Sequence, residues 1–224
     1  MIEEALDITC DGLRLDGRLA YADEGAGRAA VLLCPPHPFL GGDMDNNVIS
    51  ALRSELVAHG LVVLRFNYRG IGTSEAGRDL RADQAAFWRD STCPAYEAEM
   101  HEDSAAAFAA LCMACPDLPR YVVGYSFGCL TAARLSRDET IARLLLIAPP
   151  LAKWTLESDG VRVVEASALY YAPDDFACPD ELARALYAHL PRPRELRSFP
   201  AADHFFVGRE RELSEAVACF LEVA

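Results

Sequence analysis

The sequence lacks any stretch suited to a membrane or to a secretory pathway. No apolar run reaches the ~20 residues that a membrane-spanning helix needs. The first seven residues are rich in acidic side chains and lack the basic segment and apolar core of a signal peptide. These absences predict a cytoplasmic protein with no membrane partner.

Basic residues are also in short supply. The chain has 21 Lys and Arg against 34 Asp and Glu, a formal net charge of −13. Such an excess repels the phosphates of nucleic acids and of anionic lipids. It also disfavours strongly anionic substrates, although local charge at a site can override the total. We therefore expect a small-molecule substrate and no nucleic-acid partner, and a homodimer is compatible with the sequence.

Motifs for metals and cofactors are missing as well. Histidines and carboxylates are scattered without ligand spacing, and the sequence has no glycine-rich phosphate loop. Of the eight cysteines, only Cys112 and Cys115 form a C-x-x-C pair, and that pair ends a helical pattern. A redox pair begins a helix instead, because the helix dipole there lowers the thiol pKa. We expect reduced, buried thiols and no cofactor.

The sequence does contain short apolar runs that alternate with helical segments. A length of 224 residues suits one domain, 1–224, and is too short for two ordinary domains with a linker. Apolar runs without alternation, such as 29–34 and 61–66, are typical of strands buried on both faces of a parallel sheet. Helical segments between strands imply right-handed βαβ units.

These patterns predict an α/β fold with a mostly parallel, twisted sheet of about eight strands and helices on both faces. An antiparallel hairpin around Asp11 would precede it. Predicted strands are 4–9, 12–21, 29–34, 61–66, 121–124, 142–148, 167–172 and 195–199. Predicted helices are one that Asp45 or Asn46 caps and that runs through His59, 97–115, one after Ser126, 180–189 and 210–223. Helical periodicity fails over 73–96, which we interpret as a long irregular excursion.

The most informative stretch joins an apolar strand to a helix through Gly-Tyr-Ser-Phe-Gly at 124–128. In that context Gly-x-Ser-x-Gly is the pattern of a nucleophile elbow. The bend exposes the serine hydroxyl above the sheet, and the glycines allow the strand and helix to approach closely. Backbone N–H groups at the helix start can then hold a developing negative charge. Ser126 is the predicted nucleophile, and Phe127 N–H is the first oxyanion donor.

Three other polar sites follow predicted strands: the loop 37–42, the pair Asp174 and Asp175, and His204. Ligands of parallel sheets bind beyond the carboxyl ends of the strands, where these sites and Ser126 would meet. A serine needs a base, and we assign this role to His204, which lies in a suitable turn after a predicted strand. His37 is the closest competitor because it lies on the same rim. Either aspartate could orient His204. This convergence indicates a catalytic site more strongly than any single motif.

At this point the chain resembles the α/β-hydrolase superfamily over nearly its whole length. The superfamily orders its residues Ser…Asp/Glu…His, as Ser126, Asp175 and His204 are ordered. The match is closer to a small, lidless bacterial subgroup, mostly described as predicted hydrolases, through segments 36–46, 65–74, 124–128 and 204–206. Related chains place a glycine three residues before the acid, and Ala172 holds that offset from Asp175, which favours it over Asp174.

The loop after the third predicted strand should supply the second oxyanion donor. Pro38 has no N–H, so Phe39 is the first candidate and Leu40 the second. The interval 149–165 is too short for a helical cap domain, so specificity must come from shorter segments. His37 lies in the same loop and either shapes it or touches the substrate, and Leu40 is also expected to contact the substrate.

Aromatic residues near the predicted rim could form an apolar pocket for an acyl or alcohol group, although each could equally belong to the core. They are Phe39, Phe87, Trp88, Trp154, Phe205 and Phe206. We expect a serine hydrolase working through an acyl-enzyme on esters or thioesters with an uncharged, fairly apolar acyl part. The alternatives are an acyl transferase, a C–C hydrolase or a lyase on the same fold. A binder with a relic triad and an interaction protein using 73–96 also stay open.

Overall fold

The computed structural model describes residues 1–25, 27–156 and 161–222. Within these residues the strands are β1 (Ile2–Cys10), β2 (Leu13–Tyr21), β3 (Ala30–Cys34), β4 (Val62–Phe66), β5 (Arg120–Tyr125), β6 (Arg143–Ile147), β7 (Ala166–Tyr171) and β8 (Arg194–Ser198). They form one sheet in the order β1-β2-β4-β3-β5-β6-β7-β8. The β1–β2 hairpin is antiparallel, β2 pairs antiparallel with β4, and the remaining pairs are parallel.

Helices cover both faces of this sheet. They are α1 (Asn47–Ala58), α2 (Arg81–Asp90), α3 (Pro94–Ala114), α4 (Gly128–Asp138), α5 (Asp180–His189) and α6 (Glu210–Glu222). The helices α1 and α6 pack together on one face, while α3, α4 and α5 share the core of the other. The predicted fold class is therefore confirmed, and no cap domain covers the sheet within the described residues.

The strand sequences explain why a two-faced core forms. All five residues of β3 are buried. Val31 and Leu33 join the core under α1 and α6, whereas Leu32 joins the opposite core. A strand with helices on both sides needs apolar residues at every position, which removes the alternation seen in half-exposed strands. The helices of the described chain include none long and apolar enough to span a bilayer.

The structure differs from the sequence prediction between residues 73 and 96. This segment contains α2, and α3 begins at Pro94 instead of near Glu97. The periodicity was absent because Phe87 is the single buried residue of α2, so the helix has no apolar stripe. The predicted end of the last helix at Val223, and part of the interval 149–165, lie outside the described residues.

A buried ion pair fixes the loop between β4 and α2 against α3. Arg69 Nε donates to Asp103 Oδ1 at 2.9 Å, and Arg69 N–H donates to Asp103 Oδ2 at 2.8 Å. Tyr96 OH donates to Arg69 O at 2.8 Å. These bonds satisfy groups that burial would otherwise leave unpaired. They hold the start of the excursion next to the carboxyl end of the sheet, where the functional residues lie.

Candidate active site

Ser126 occupies a strained turn between β5 and α4. Its φ of 53° lies in the left-handed region, which a serine seldom adopts. A Cβ on Gly124 would lie 2.4 Å from Gly128 O, and a Cβ on Gly128 would lie 2.1 Å from Cys34 O. Both distances are far inside van der Waals contact, so each position requires glycine. The strand and helix are thus as close as a nucleophile elbow demands.

The structure brings the three predicted side chains of the triad into one hydrogen-bonded line. Ser126 Oγ lies 3.0 Å from His204 Nε2, and His204 Nδ1 lies 2.7 Å from Asp175 Oδ2. Asp175 follows β7, and His204 lies in the turn after β8. All three residues are buried, with exposed fractions of 8%, 6% and 3% for the serine, histidine and aspartate.

Further bonds hold the acid and the histidine in place. Asp175 Oδ1 accepts the N–H of Ala177 at 2.7 Å, which leaves Oδ2 for the imidazole. Tyr125 OH donates to His204 O at 2.9 Å. Burial raises the pKa of the Tyr125 hydroxyl, so this group stays protonated and keeps its donor role. No sequence pattern singles out Tyr125, because its role depends on the position of the His204 backbone carbonyl.

The competing carboxylates lie elsewhere. Asp174 is exposed, and among the described residues its side chain forms no hydrogen bond with His204. Asp203 Oδ1 accepts N–H groups from Phe205 and Val207, so it shapes the turn that carries the histidine. This is the structural role expected of a carboxylate next in sequence to the base.

The predicted oxyanion donors differ in their present partners. Phe127 N–H has no acceptor within the described residues. Phe39 N–H donates to His37 Nδ1 at 3.2 Å, and Leu40 N–H donates to His37 O at 3.0 Å. The assignment of Phe39 as second donor therefore stays a prediction. For Phe39 to act as a donor, its N–H would have to exchange the 3.2 Å hydrogen bond to His37 Nδ1 for one to the oxyanion.

A cavity of about 400 Å³ opens beside Ser126 and His204. Five residues predicted to contact substrate line it: His37, Leu40, Trp88, Trp154 and Phe205. Phe87 lines it too, since α2 forms one wall. Several wall residues were not predicted from the sequence, among them Pro150, Ala152, Lys153, Phe176 and Ala177. Only Phe176 had a usable signal, because it directly follows the predicted acid.

The suggestion that Phe39 and Phe206 line the pocket is wrong. Neither side chain borders the cavity. The Phe39 ring stacks on Tyr96 with centroids 4.5 Å apart, and Phe206 is fully buried against Phe199. Both rings belong to the core. The sequence position of Phe39 and Phe206, close to residues of the site, therefore did not show whether their rings face the cavity or the core.

His37 is a neutral imidazole buried in the cavity wall. Its ring stacks on Phe87 with centroids 4.4 Å apart. Burial and, to a smaller extent, the positive charge of Lys153 lower the pKa of His37 to about 3. Because Nδ1 accepts the N–H of Phe39, the proton of the neutral ring lies on Nε2. Nε2 is buried and has no partner among the described residues.

Other candidate chemistry does not gather at this site. Within the described residues, no group of three or more His, Cys, Asp or Glu side chains could hold a metal ion. The cysteines are free thiols, and all are buried except Cys112, which is half-buried, and Cys219, which is exposed. The expectation of burial was therefore wrong for these two.

Comparison with known proteins gives distant sequence similarity. No protein-family model matches the chain. The chain is 26% identical over 223 residues to an uncharacterised protein of Rickettsia prowazekii, a match that spans 93% of this chain and 84% of that protein.

The structural similarity is much stronger. An α/β serine hydrolase homologue from Coxiella burnetii matches with a TM-score of 0.82 and 25% identity, over 99% of this chain and 98% of that one. A serine hydrolase without a lid from Xanthomonas campestris gives 0.81 and 22%, over 99% and 96%. An esterase domain from Rhodothermus marinus gives 0.72 and 17%, over 98% of both chains. The chain therefore has the α/β-hydrolase fold, and its structure is similar to those of serine hydrolases of this fold, one of which lacks a lid.

Proposed function

We propose that this protein is a serine hydrolase that forms an acyl-enzyme with carboxylic esters or thioesters whose acyl part is largely apolar. The observation that carries the proposal is the pair of hydrogen bonds that links Ser126 through His204 to Asp175, at 3.0 and 2.7 Å. A base within hydrogen-bond reach of the hydroxyl, itself oriented by a carboxylate, is the requirement for an activated serine.

Acylation would begin with attack of Ser126 Oγ on the carbonyl carbon. His204 Nε2 takes the hydroxyl proton as the new C–O bond forms, and Asp175 stabilises the resulting imidazolium. The carbonyl π electrons move onto oxygen, which Phe127 N–H can bind because that donor has no other acceptor among the described residues. Collapse of this intermediate breaks the bond to the leaving alcohol or thiol, which receives the proton from His204.

Deacylation would repeat these steps with water as the nucleophile. His204, neutral again, removes a proton from water as its oxygen attacks the acyl carbon. Collapse releases the carboxylic acid and returns the proton to Ser126 Oγ. Since Asp175 also holds the imidazole tautomer, Nε2 faces the serine throughout. Each turnover therefore consumes one ester or thioester and one water.

The cavity supports an apolar substrate. Its mouth carries large exposed side chains, which a folded protein retains at binding surfaces. The exposed fractions are 57% for Leu40, 63% for Trp88, 71% for Phe176 and 50% for Phe205. All four line the cavity beside the serine. A hydrocarbon chain or ring lying across them would remove this surface from water.

Covalent labelling with a fluorophosphonate tests the nucleophile directly. We expect the wild type to be labelled at Ser126 and to hydrolyse 4-nitrophenyl butyrate, and Ser126→Ala to do neither. The control is Ser54→Ala, on the outer part of α1, which should label like the wild type. Labelling that persists in folded Ser126→Ala, or an unreactive wild type, would contradict the proposal.

A further inference from the structure

The sequence contains a single lysine, and its position in the structure is informative. Lys153 lines the cavity beside Ser126 and His204. Among the described residues, every other one that lines this cavity is apolar, polar and uncharged, or histidine. The chain as a whole is strongly acidic, at −13, which disfavours anions near its surface. The positive charge of Lys153 therefore opposes the field of the rest of the protein.

Lys153 has no carboxylate partner within the described residues. Its Nζ lies instead 4.8 Å from the ring centroid of Trp154 and 5.5 Å from that of Phe87. Exposed arginines such as Arg78 behave differently, since Arg78 pairs with two carboxylates. A cation held over aromatic faces keeps its N–H groups available to an incoming acceptor.

Two other residues that line this cavity, His37 and Trp154, also carry ring N–H groups. His37 is 99% buried, with an exposed fraction of 1%, and its Nε2 has no partner among the described residues. Trp154 Nε1 is buried and without a partner in the same part of the chain. The two rings lie 6.2 Å apart and nearly parallel, at 22°. We call Lys153, His37 and Trp154 the donor wall.

Among the described residues, the donor wall holds two buried N–H groups without an acceptor and one ammonium group without a carboxylate. Burial of donors without acceptors is unfavourable, so a ligand whose acceptor atoms reached this wall would be stabilised by them. His37 stays neutral, because its pKa is about 3, and contributes a donor without a charge. The wall therefore has one positive charge in total. A group with acceptor oxygens and a single negative charge complements it best.

We infer that the substrate carries a carboxylate, separate from the ester or thioester bond, that binds Lys153 on the donor wall. This inference rests on the proposed hydrolase function and deepens it by naming the substrate class. The substrate would be a half-ester or half-thioester whose apolar middle lies over the cavity aromatics. It adds a negative charge, on the acyl or the alcohol side, to the apolar ester or thioester that the sequence alone suggested.

Two substrate pairs test this class, one for each side of the ester bond. The acyl-side pair is mono-4-nitrophenyl adipate and 4-nitrophenyl hexanoate. The alcohol-side pair is 4-carboxyphenyl butyrate and 4-carbamoylphenyl butyrate. Each pair differs by one negative charge at nearly constant size. The quantity measured is the ratio of kcat/KM for the anionic and the neutral member, which cancels effects common to both.

We expect Lys153→Met to lower this ratio about tenfold for at least one pair, as expected for loss of a charge-assisted hydrogen bond. Lys153→Arg should keep most of the ratio because it keeps the charge. Arg211→Met removes an exposed positive charge on α6, far from the cavity lining, and should leave the ratio unchanged. High salt should lower the wild-type ratio and not that of Lys153→Met. An unchanged ratio in Lys153→Met for both pairs would overturn the inference.

A binding measurement tests this inference independently of the proposed hydrolase activity. Intrinsic tryptophan fluorescence of Ser126→Ala reports binding of monomethyl adipate and of methyl hexanoate without turnover. Tighter binding of the anionic ester, lost in Ser126→Ala/Lys153→Met, would support the site even if the wild type hydrolysed no ester. Equal affinities in both proteins would reject the anion site, whatever the hydrolase activity.

Discussion

The proposed catalytic triad and the wall of the adjacent cavity are built in different ways. Ser126, His204 and Asp175 are more than nine-tenths buried and are joined by hydrogen bonds of 3.0 and 2.7 Å beyond the carboxyl ends of β5, β8 and β7. The wall presents Trp88 and Phe176, which are 63% and 71% exposed. The triad side chains are fixed by the core, whereas these two side chains are mostly exposed to solvent and contact few other residues. Substitutions should therefore affect reactivity or folding in the first region and substrate choice in the second.

Within the triad, Asp175→Asn should produce a large loss of kcat. The amide cannot stabilise the imidazolium and favours the wrong tautomer, so kcat should fall about 10⁴-fold. The matched control is Asp174→Asn, an adjacent exposed aspartate, which should change kcat less than about twofold. Steady-state kinetics with 4-nitrophenyl butyrate measures both. A larger loss in Asp174→Asn would transfer the role of the acid to that residue.

Gly128→Ala should produce the largest effect on folding. The added Cβ would lie 2.1 Å from Cys34 O, so the backbone must move apart. We expect the free energy of unfolding to fall by about 3 kcal/mol or more, as for severe steric changes in a core. Gly208 is the control, because its φ is 72° and a Cβ there has free space. Gly208→Ala should cost about 1 kcal/mol from backbone strain alone, and equal losses in urea unfolding would contradict the close approach at the elbow.

The same contrast explains which parts of the structure could be predicted from the sequence. Strands buried on both faces leave uninterrupted apolar runs, and β3 was recognised on that basis. The predicted helix cap was also visible, since Asn46 Oδ1 accepts the N–H of Val48 at 3.0 Å. The positions of Ser126 and His204 followed from their places after strands. These features depend on local sequence and on the shared direction of parallel strands.

The cavity wall could not be predicted in the same way. The helix α2 is polar apart from Phe87, so its sequence resembles a loop. Whether an aromatic ring faces the cavity or the core depends on packing between segments far apart in sequence. Thus Phe39 turns toward Tyr96, while Phe176 turns outward into the cavity mouth. The function of Lys153 depends equally on neighbours that only the tertiary structure brings together.

His37 lies between the two regions and should make stability depend on pH. Its folded pKa of about 3 is below the ~6.5 of an unfolded histidine, so the unfolded chain binds more protons between these values. Its contribution is complete above pH ~6.5 and is lost as pH falls toward 3. At pH 5 the loss should be about 2 kcal/mol relative to pH 8.

His37→Phe is the comparison for this effect, since it keeps an aromatic ring and removes the titrating group. Urea unfolding from pH 8 to pH 5 should show a shallower decline in His37→Phe than in the wild type. The pKa of His101 is also lowered, to about 4, but His101 is present in both proteins and cancels in the difference. Identical slopes would show that His37 is accessible to protons in the folded protein.

Trp88→Ala should have the smallest effect on stability and a selective effect on substrates. The side chain is 63% exposed and contacts Phe87 edge-on, with centroids 5.9 Å apart, so unfolding should change by less than about 0.5 kcal/mol. If it covers the acyl chain, kcat/KM for a 4-nitrophenyl octanoate should fall about fivefold more than for the acetate. Met113→Ala, at a residue that is 77% exposed and outside the cavity, should leave that ratio unchanged. An equal loss of kcat/KM for both esters would instead show that Trp88 affects the reaction itself. The proposed separation between triad and cavity wall would then not hold for the part of the wall that α2 forms.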